Sequence, residues 1–431
     1  MADEAIRPAE APVTFQQVLG NRGFLLLWVG QFVSSFGDWL AILALFSLIA
    51  FRWNGSPEKV AGIFISFILP FAVLGPLAGV FVDRWNLKRT MIASDLVRAG
   101  LVVLFALATT AWHAYAVMAL VSVVSSFFLP AMNKTIPHLV KREELMVANA
   151  LNAQTIHLTK IVAPAVAGLL VAWAGEKACF YLDAVSFLFS AGMIALVKIG
   201  GAQEQAAALK AAATNAEPAT ERGLRAVLAE FREGFAFLNG HQALRFVVLA
   251  MASAMFIIGA FNALIAVYVR ETLHADSKIF GALMSAIGLG TIVGAAWIAK
   301  FAQHHSNTRL VVCGIFGMGV GVLLLALATN SPAAVACSLA LGLAASAVLI
   351  PSQTMTQQET PPAMLGRVSS TSISLMTVAQ LIGVAISGKL AAWMGIRHAY
   401  LLLAALLGIV GAGGYAFATK FHLPGPEPVN E

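Results

Sequence analysis

Several ionisable side chains stand inside long apolar stretches of this chain, where a charge needs a partner or a function. Asp38 lies about 15 residues into the first stretch, roughly 22 Å along a helix axis at 1.5 Å per residue. A carboxyl group at that depth has to be neutral or paired with a cation. Asp38 could therefore exchange a proton, contact a substrate or form a structural pair. A polar stripe on the same helix runs from Asp38 through Ser35 and Ser34 to Gln31.

Lys160 and His157 stand at i, i+3 spacing in the fifth apolar stretch, on one face of a helix. The lysine could neutralise Asp38, bind an anionic substrate or hold helices together, and the sequence does not choose among these. Asp95 and Arg98 have the same spacing near one end of the third stretch and can pair with each other or with charges of the neighbouring loop.

Composition restricts the class of protein that carries these residues. Of 431 residues, 59% (about 254) are hydrophobic and 11% are charged, against roughly 25% charged in a soluble domain. A soluble enzyme could not cover that much apolar surface. The basic residues behind the net charge of +6 are scattered among short loops, which indicates orientation in a membrane and no nucleic-acid partner. Cys179, Cys313 and Cys337 lie in or beside apolar runs and are expected to be free thiols.

Twelve apolar runs are each long enough to cross a bilayer. They lack the alternation of barrel strands, so they are predicted to be helices. The polar segment 199–242 divides them six plus six. The predicted fold class is therefore an all-α membrane protein with twelve transmembrane helices in two six-helix bundles. The runs are 23–51, 59–81, 91–112, 114–133, 147–172, 179–198, 243–269, 279–300, 309–328, 333–354, 367–393 and 398–419.

Basic residues predict the orientation of these helices. With the N-terminus inside, 18 Lys and Arg fall on the cytoplasmic side and seven on the other, so both termini are expected in the cytoplasm, the chain lying in a bacterial inner membrane. The predicted segments are a cytoplasmic N-terminus 1–22, bundles 23–198 and 243–419, a linker 199–242 and a cytoplasmic tail 420–431. The second part of the linker has an apolar stripe at helical spacing, typical of an amphipathic helix on the inner leaflet.

The two halves repeat each other faintly, at an offset of about 221 residues. The segment that begins at Phe128, FLPAMNKTIPHLVKREELMVAN, is similar in outline to the one that begins at Leu349, LIPSQTMTQQETPPAMLGRVSS. In both, a proline (Pro130 or Pro351) stands at the end of a span. A six-helix unit used twice is typical of transporters that rock two bundles around a central site.

The loop after the second run reads Gly79-Val-Phe-Val-Asp83-Arg84-Trp-Asn-Leu-Lys88-Arg89. It resembles the signature loop of the major facilitator superfamily, Gly-x-x-x-Asp-Arg-x-Gly-x-Lys/Arg-Lys/Arg, with Asn86 at the second glycine. The resemblance implies that Asp83 and Arg84 latch the two bundles on the cytoplasmic side in the outward-open state. Gly79, Arg89, Asp95 and Arg98 are assigned to the same latch. The corresponding place in the second half holds His304 and His305, which we expect to form a solvated loop.

A closer resemblance covers essentially the whole chain. Five segments are similar to the macrolide-efflux and enterobactin-exporter branch of the superfamily. They are FFLPAMNKTIPHLV, LMVANALN, APAVAGLLVAWAGEKACFYLDAVSFLFSA, SFGDW and GRVSS. Pro164 and Gly168 resemble part of its exporter motif, although two motif glycines are alanines here. The resemblance implies drug or siderophore export by proton antiport, with Asp38 carried over as the coupling carboxyl group. Related lysophospholipid transporters share the SFGD element, so lipid movement stays open.

The sequence thus predicts a monomeric, proton-coupled exporter of an apolar or amphipathic small molecule, with no enzymatic activity, cofactor or metal. No phosphate-binding loop with GK[ST] is present, so ATP is not expected to drive it. A lysophospholipid flippase is the alternative, with Lys160 meeting the phosphate; an intramembrane enzyme or scaffold is a remote one. Asp183, one turn into the sixth run, is expected to cap a helix or form a surface ion pair. The residues predicted to line the central cavity are Gln31, Asp38, Ser126, Phe127, Met255, Phe256 and Asn262.

Overall fold

The computed structural model describes residues 14–198, 231–301, 306–361 and 364–420. Within these ranges the chain is helical apart from short connections, and no strand is assigned. Twelve long helices follow one another in the described part: α1 Arg22–Ser47, α2 Pro57–Val82, α3 Leu87–Phe105, α4 Ala111–Leu139, α5 Leu145–Ala174, α6 Glu176–Leu196, α7 Gln242–Glu271, α8 Ser277–Phe301, α9 Asn307–Leu327, α10 Ser331–Gln358, α11 Leu365–Met394 and α12 Ile396–Lys420.

The third helix differs from its predicted run, 91–112. Helix α3 begins at Leu87, where the side chain of Asn86 accepts a hydrogen bond from the Arg89 amide at 3.0 Å. It ends at Phe105, and Thr110 caps α4 by accepting from the His113 amide at 3.4 Å. The predicted run was therefore displaced, because apolar residues continue through the loop while the helix ends are set by capping side chains.

Ten of the helices in the described residues are long and apolar enough to cross a membrane by length and composition. Helices α3 and α5 are the other two. Helix α3 carries Asp95 and Arg98 as well as basic residues at its start. In α5 only the second part, Leu158–Ala174, is apolar. The polar residues that lower the hydropathy of these two helices include Asp95, Arg98 and Lys160, which the sequence predicts to be functional.

The helices form two groups of six. In the first group α1 packs on α5 and α6, α4 on α2 and α3, and α3 on α6; in the second, α7 packs on α11, α10 on α8 and α9, and α9 on α12. Odd-numbered helices all run in one direction because each connection reverses the chain. We call the face where α1 begins and α12 ends the terminal face, and the other the opposite face.

The two groups meet mainly along two helix pairs, α5 with α8 and α2 with α11, and α7 also contacts α2. At the first pair, a Cβ added to Gly168 would lie 2.7 Å from the carbonyl oxygen of Ser277, and one added to Gly281 would lie 2.5 Å from that of Pro164. Only glycine allows such an approach of backbones. The predicted motif residues Pro164 and Gly168 therefore lie at the contact between the halves, toward the opposite face.

A second contact between the halves lies at the opposite face. The last turns after α1 form a π-helix, Leu48–Arg52, and the guanidinium group of Arg270, near the end of α7, donates to the carbonyl oxygen of Ala50. Arg270 also pairs with Glu271 at 2.5 Å. The bond to Ala50 joins the two halves at the opposite face, whereas the pair with Glu271 lies within the second half.

Residues 1–13, 199–230 and 421–431 lie outside the described part of the chain, as do His304 and His305, so most of the predicted linker is not described. Residues 231–240 form a helix. Its Leu238 is buried with Leu244 and Val368, and Glu233 pairs with Arg367 at 2.5 Å. This end of the predicted amphipathic helix packs on α7 and α11.

Candidate functional site

The packing of α1, α3 and α6 brings four ionisable side chains together in the middle of the first half: Asp38, Asp95, Arg98 and Asp183. Asp38 interacts electrostatically with Arg98 and Asp95, and Asp183 interacts with all three. Asp95, Arg98 and Asp183 are 0%, 5% and 1% exposed, whereas Asp38 on the central helix α1 is partly exposed. We call these four residues the charge cluster.

Arg98 is the cation of the charge cluster. Its guanidinium group forms an ion pair with Asp95 one turn away, as the i, i+3 spacing allows. The same group lies over the rings of Phe128 and Phe187, at 4.4 Å and 4.3 Å from the ring centroids. Two aromatic faces and a carboxylate therefore stabilise one buried positive charge.

Asp183 does not lie in the surface position that the sequence predicted. It is buried, and the hydroxyl group of Ser186 lies 3.2 Å from its Oδ1 atom. Gly37 makes the approach possible, because a Cβ there would collide with Oδ1 of Asp183 and with Ser186. The prediction failed because it considered α6 alone. The i, i+3, i+7 stripe of Asp183, Ser186 and Ser190 is the signal that could have found this face.

The polar stripe of α1 continues into the charge cluster. The side-chain amide of Gln31 donates to the Ser190 hydroxyl at 3.4 Å, and Ser190 lies beside Asp95. Two polar atoms of the cluster, Oδ2 of Asp95 and Nε of Arg98, are buried without a hydrogen-bond partner among the described residues. A buried polar atom without a partner costs free energy, so a change in protonation or packing that gives it a hydrogen bond is stabilising.

Lys160 stands apart from the charge cluster. It has no hydrogen-bond or ion-pair partner among the described residues, and the groups that act on Asp38 do not include it. Its side chain is exposed. An exposed apolar stripe that a membrane would cover runs along α5 through Leu158, Val162 and Leu169. Around the helix axis, Lys160 is about 160–200° from these three residues. Lys160 therefore projects away from that stripe. The side chain of His157 is not among those described.

The signature loop is tied within the first half. Lys134 of α4 forms an ion pair with Asp83 and donates to the carbonyl oxygen of Gly79 at 3.3 Å. Lys88 donates to the carbonyl oxygens of Ala195 and Val197 at 2.7 Å and 2.8 Å. The latch between the halves stays a prediction, because Asp83 is bound here to its own half.

The remaining predicted cavity residues are dispersed. Ser126 is 1% exposed and its hydroxyl donates to the Ser122 carbonyl at 3.0 Å, and the Phe127 ring stacks on Trp85 with centroids 5.4 Å apart. Met255, Phe256 and Asn262 of α7 are partly exposed. The structure does not bring this set together with the charge cluster, and its role in a cavity stays a prediction.

Two six-helix bundles that meet along helix pairs are typical of membrane transporters. Residues 15–427 match the transmembrane secretion effector family. The chain therefore belongs to this family of major facilitator superfamily transporters, and to the branch that contains macrolide and enterobactin exporters, as the sequence predicted.

Individual relatives match most of the chain. An uncharacterised major facilitator transporter of Bacillus subtilis, YfiS, is 29% identical over 91% of this chain and 92% of its own length. Macrolide efflux protein A of Streptococcus pyogenes is 26% identical over 89% and 93%, and the enterobactin exporter EntS of Shigella boydii 28% identical over 74% and 73%.

A solved structure of a POT family transporter in complex with 5-aminolevulinic acid has a TM-score of 0.71 at 12% identity, covering 95% of this chain and 99% of that one. At that identity the likeness shows the fold alone. Together with the helices described above, it confirms the predicted all-α fold of two six-helix bundles.

Proposed function

We propose that this protein is a proton-coupled secondary exporter of an apolar or amphipathic small molecule that works by alternating access. The relatives named macrolide efflux protein and enterobactin exporter support substrates of the drug or siderophore class. The proposal includes the predicted setting: a bacterial inner membrane, cytoplasmic termini and a monomer that handles its substrate and protons.

The observation that carries the proton coupling is the charge balance of the cluster. Three carboxyl groups face a single guanidinium group, so the cluster would hold a net charge of −2 if every group were ionised. Burying uncompensated charge in a membrane protein is costly. Neutrality requires two protons, and binding or releasing them changes the energy of the α1–α3–α6 interface.

Asp38 is the member best placed to exchange a proton with a substrate path. It lies on α1, which packs on both α5 and α6, and it is the partly exposed carboxyl group of the cluster. In the proposed cycle Asp38 loses a proton toward the cytoplasm and regains it from outside, and substrate competes with the proton for the same cavity.

The contacts between the halves support alternating access. Arg270 with Ala50 and Gly168 with Ser277 join the halves toward the opposite face, and at the terminal face Asp83 is bound within its own half. We infer that this is the state closed at the opposite face, and that the predicted Asp83–Arg84 latch forms in the other state.

Efflux from inverted membrane vesicles tests the coupling. Asp38→Asn should reduce proton-driven efflux of a fluorescent macrolide-like drug at least tenfold, while drug binding, measured as a rise in melting temperature, persists. Glu359→Gln, an exposed carboxylate in the other half, is the control and should behave like the unmodified protein. Unchanged pH-dependent efflux by Asp38→Asn would refute the coupling role.

Lys160 favours a second candidate, a lysophospholipid transporter. An unpaired cation directed away from the exposed apolar stripe of α5 suits an anionic amphiphile whose phosphate it would bind. Lys160→Gln should then weaken binding of a lysophosphatidylglycerol about tenfold and leave a neutral drug unaffected. Equal loss for both ligands would instead assign Lys160 to the structure of α5.

A further inference from the structure

A cavity lies at the terminal face, beside the signature loop. It is a groove of about 570 Å³ between the α2–α3 loop, α3 and α4. Val97 of α3 and Val123 and Val124 of α4 line its wall, and Arg84, Trp85 and Arg89 line its end. The groove is thus apolar along the helices and cationic at the membrane surface.

The groove faces the membrane. On α3 the exposed residues recur at positions 89, 93, 97, 100 and 104, which is one face of a helix. Val97 and Leu104 on this face are 49% and 42% exposed, whereas Asp95 and Arg98 point to the protein interior. Bilayer lipid is the solvent that contacts such an apolar stripe.

The cations at the end of the groove are available to a ligand. Lys88 and Lys134 already bind protein groups. Arg84 and Arg89 are exposed, and their guanidinium groups have no hydrogen-bond or ion-pair partner among the described residues. Trp85, stacked on Phe127, closes one side. The N-terminus of the 19-residue helix α3 points its positive dipole end at the same place.

We propose that this groove binds one acidic phospholipid of the leaflet at the terminal face. Arg84 and Arg89 bind the headgroup phosphate, and an acyl chain lies along Val97, Val123 and Val124. A free phosphate would use only the cationic end, and a zwitterionic lipid would place its own headgroup cation beside the two arginines, so charge and shape together select an acidic lipid. The site shares Arg84 and Arg89 with the predicted latch, and the lipid binds them in the present state, in which Asp83 is bound within its own half.

Native mass spectrometry of the purified protein, titrated with phosphatidylglycerol or phosphatidylcholine of equal chain length, tests this proposal. One phosphatidylglycerol should bind in preference to phosphatidylcholine. The double variant Arg84→Gln, Arg89→Gln should bind it about thirtyfold more weakly, which corresponds to about 1 kcal/mol for each basic residue. The double variant Lys141→Gln, Arg142→Gln, with the same charge change at exposed residues outside the groove, should bind as before.

A second variant tests the apolar part without a change of charge. Ala93→Trp fills the groove beside Val97 and should also remove the bound lipid, and inorganic phosphate or glycerol 3-phosphate should not compete with it. Equal binding of the two lipids, unchanged binding by both groove variants in well-folded protein, or displacement by inorganic phosphate would each overturn the proposal.

Discussion

The two halves of the molecule use equivalent helices in different ways. In the first half, α1, α3 and α6 enclose the charge cluster. In the second half, the corresponding helices α7, α9 and α12 enclose aromatic and aliphatic residues, among them Phe261, Tyr268 and Tyr400. Beyond Arg309 near its start, α9 has no Asp, Glu, Lys or Arg. Among the described residues of the second half no Asp, Glu, Lys or Arg is buried, so this part of the chain forms its helix contacts without a buried charge.

The comparison favours a functional role for the charge cluster, in line with the proposed proton coupling. Apolar packing at close helix contacts is sufficient for the second bundle, and a buried ion pair generally contributes less to stability than apolar residues of the same size. A cluster of three carboxyl groups and one arginine is thus a cost to the first bundle. Its retention is explained if protonation of the cluster changes how α1, α3 and α6 pack.

Removing the cation should have the largest effect. Arg98→Met leaves Asp95 buried without its partner, and we expect a loss of stability of about 3 kcal/mol and no proton-driven efflux. Thermal unfolding in detergent and efflux from inverted vesicles measure the two effects. Arg98→Lys keeps the charge but loses the planar contact with Phe128 and Phe187, so it should be intermediate.

Arg309→Met is the matched control, since Arg309 is exposed at the start of the equivalent helix α9. Its effect should stay within about 0.5 kcal/mol. If Arg98→Met were as stable and as active as Arg309→Met, the two halves would not differ in function at these helices.

Crowding the α1–α6 contact should have a smaller effect. Gly37→Ala places a methyl group where Asp183 and Ser186 lie, so Asp183 has to move away from α1. We expect a loss of about 1–3 kcal/mol and weaker proton dependence of efflux. Gly192→Ala, on α6 in open space, should be neutral or stabilising by up to about 1 kcal/mol. Equal effects of the two substitutions would show that the contact does not position the cluster.

The comparison also separates what the sequence could predict from what it could not. The number and order of the spans follow from apolar run length, because bilayer thickness fixes how long a spanning helix must be. The Asp95–Arg98 pair follows from spacing within one helix. Asp183 was misplaced because its partners lie on α1 and α3, and spacing along α6 carries no information about which helices it packs against.

The smallest expected effects concern two tyrosines of the second half. Tyr268 donates from its hydroxyl group to the Leu325 carbonyl at 2.8 Å, whereas the buried Tyr400 hydroxyl has no partner among the described residues. Tyr268→Phe should therefore cost about 1 kcal/mol, and Tyr400→Phe should be neutral or slightly stabilising. Thermal unfolding measures the difference, and neither change should alter the proton dependence of efflux. A loss of that dependence in either variant would place part of the coupling in the second half and remove the contrast between the halves.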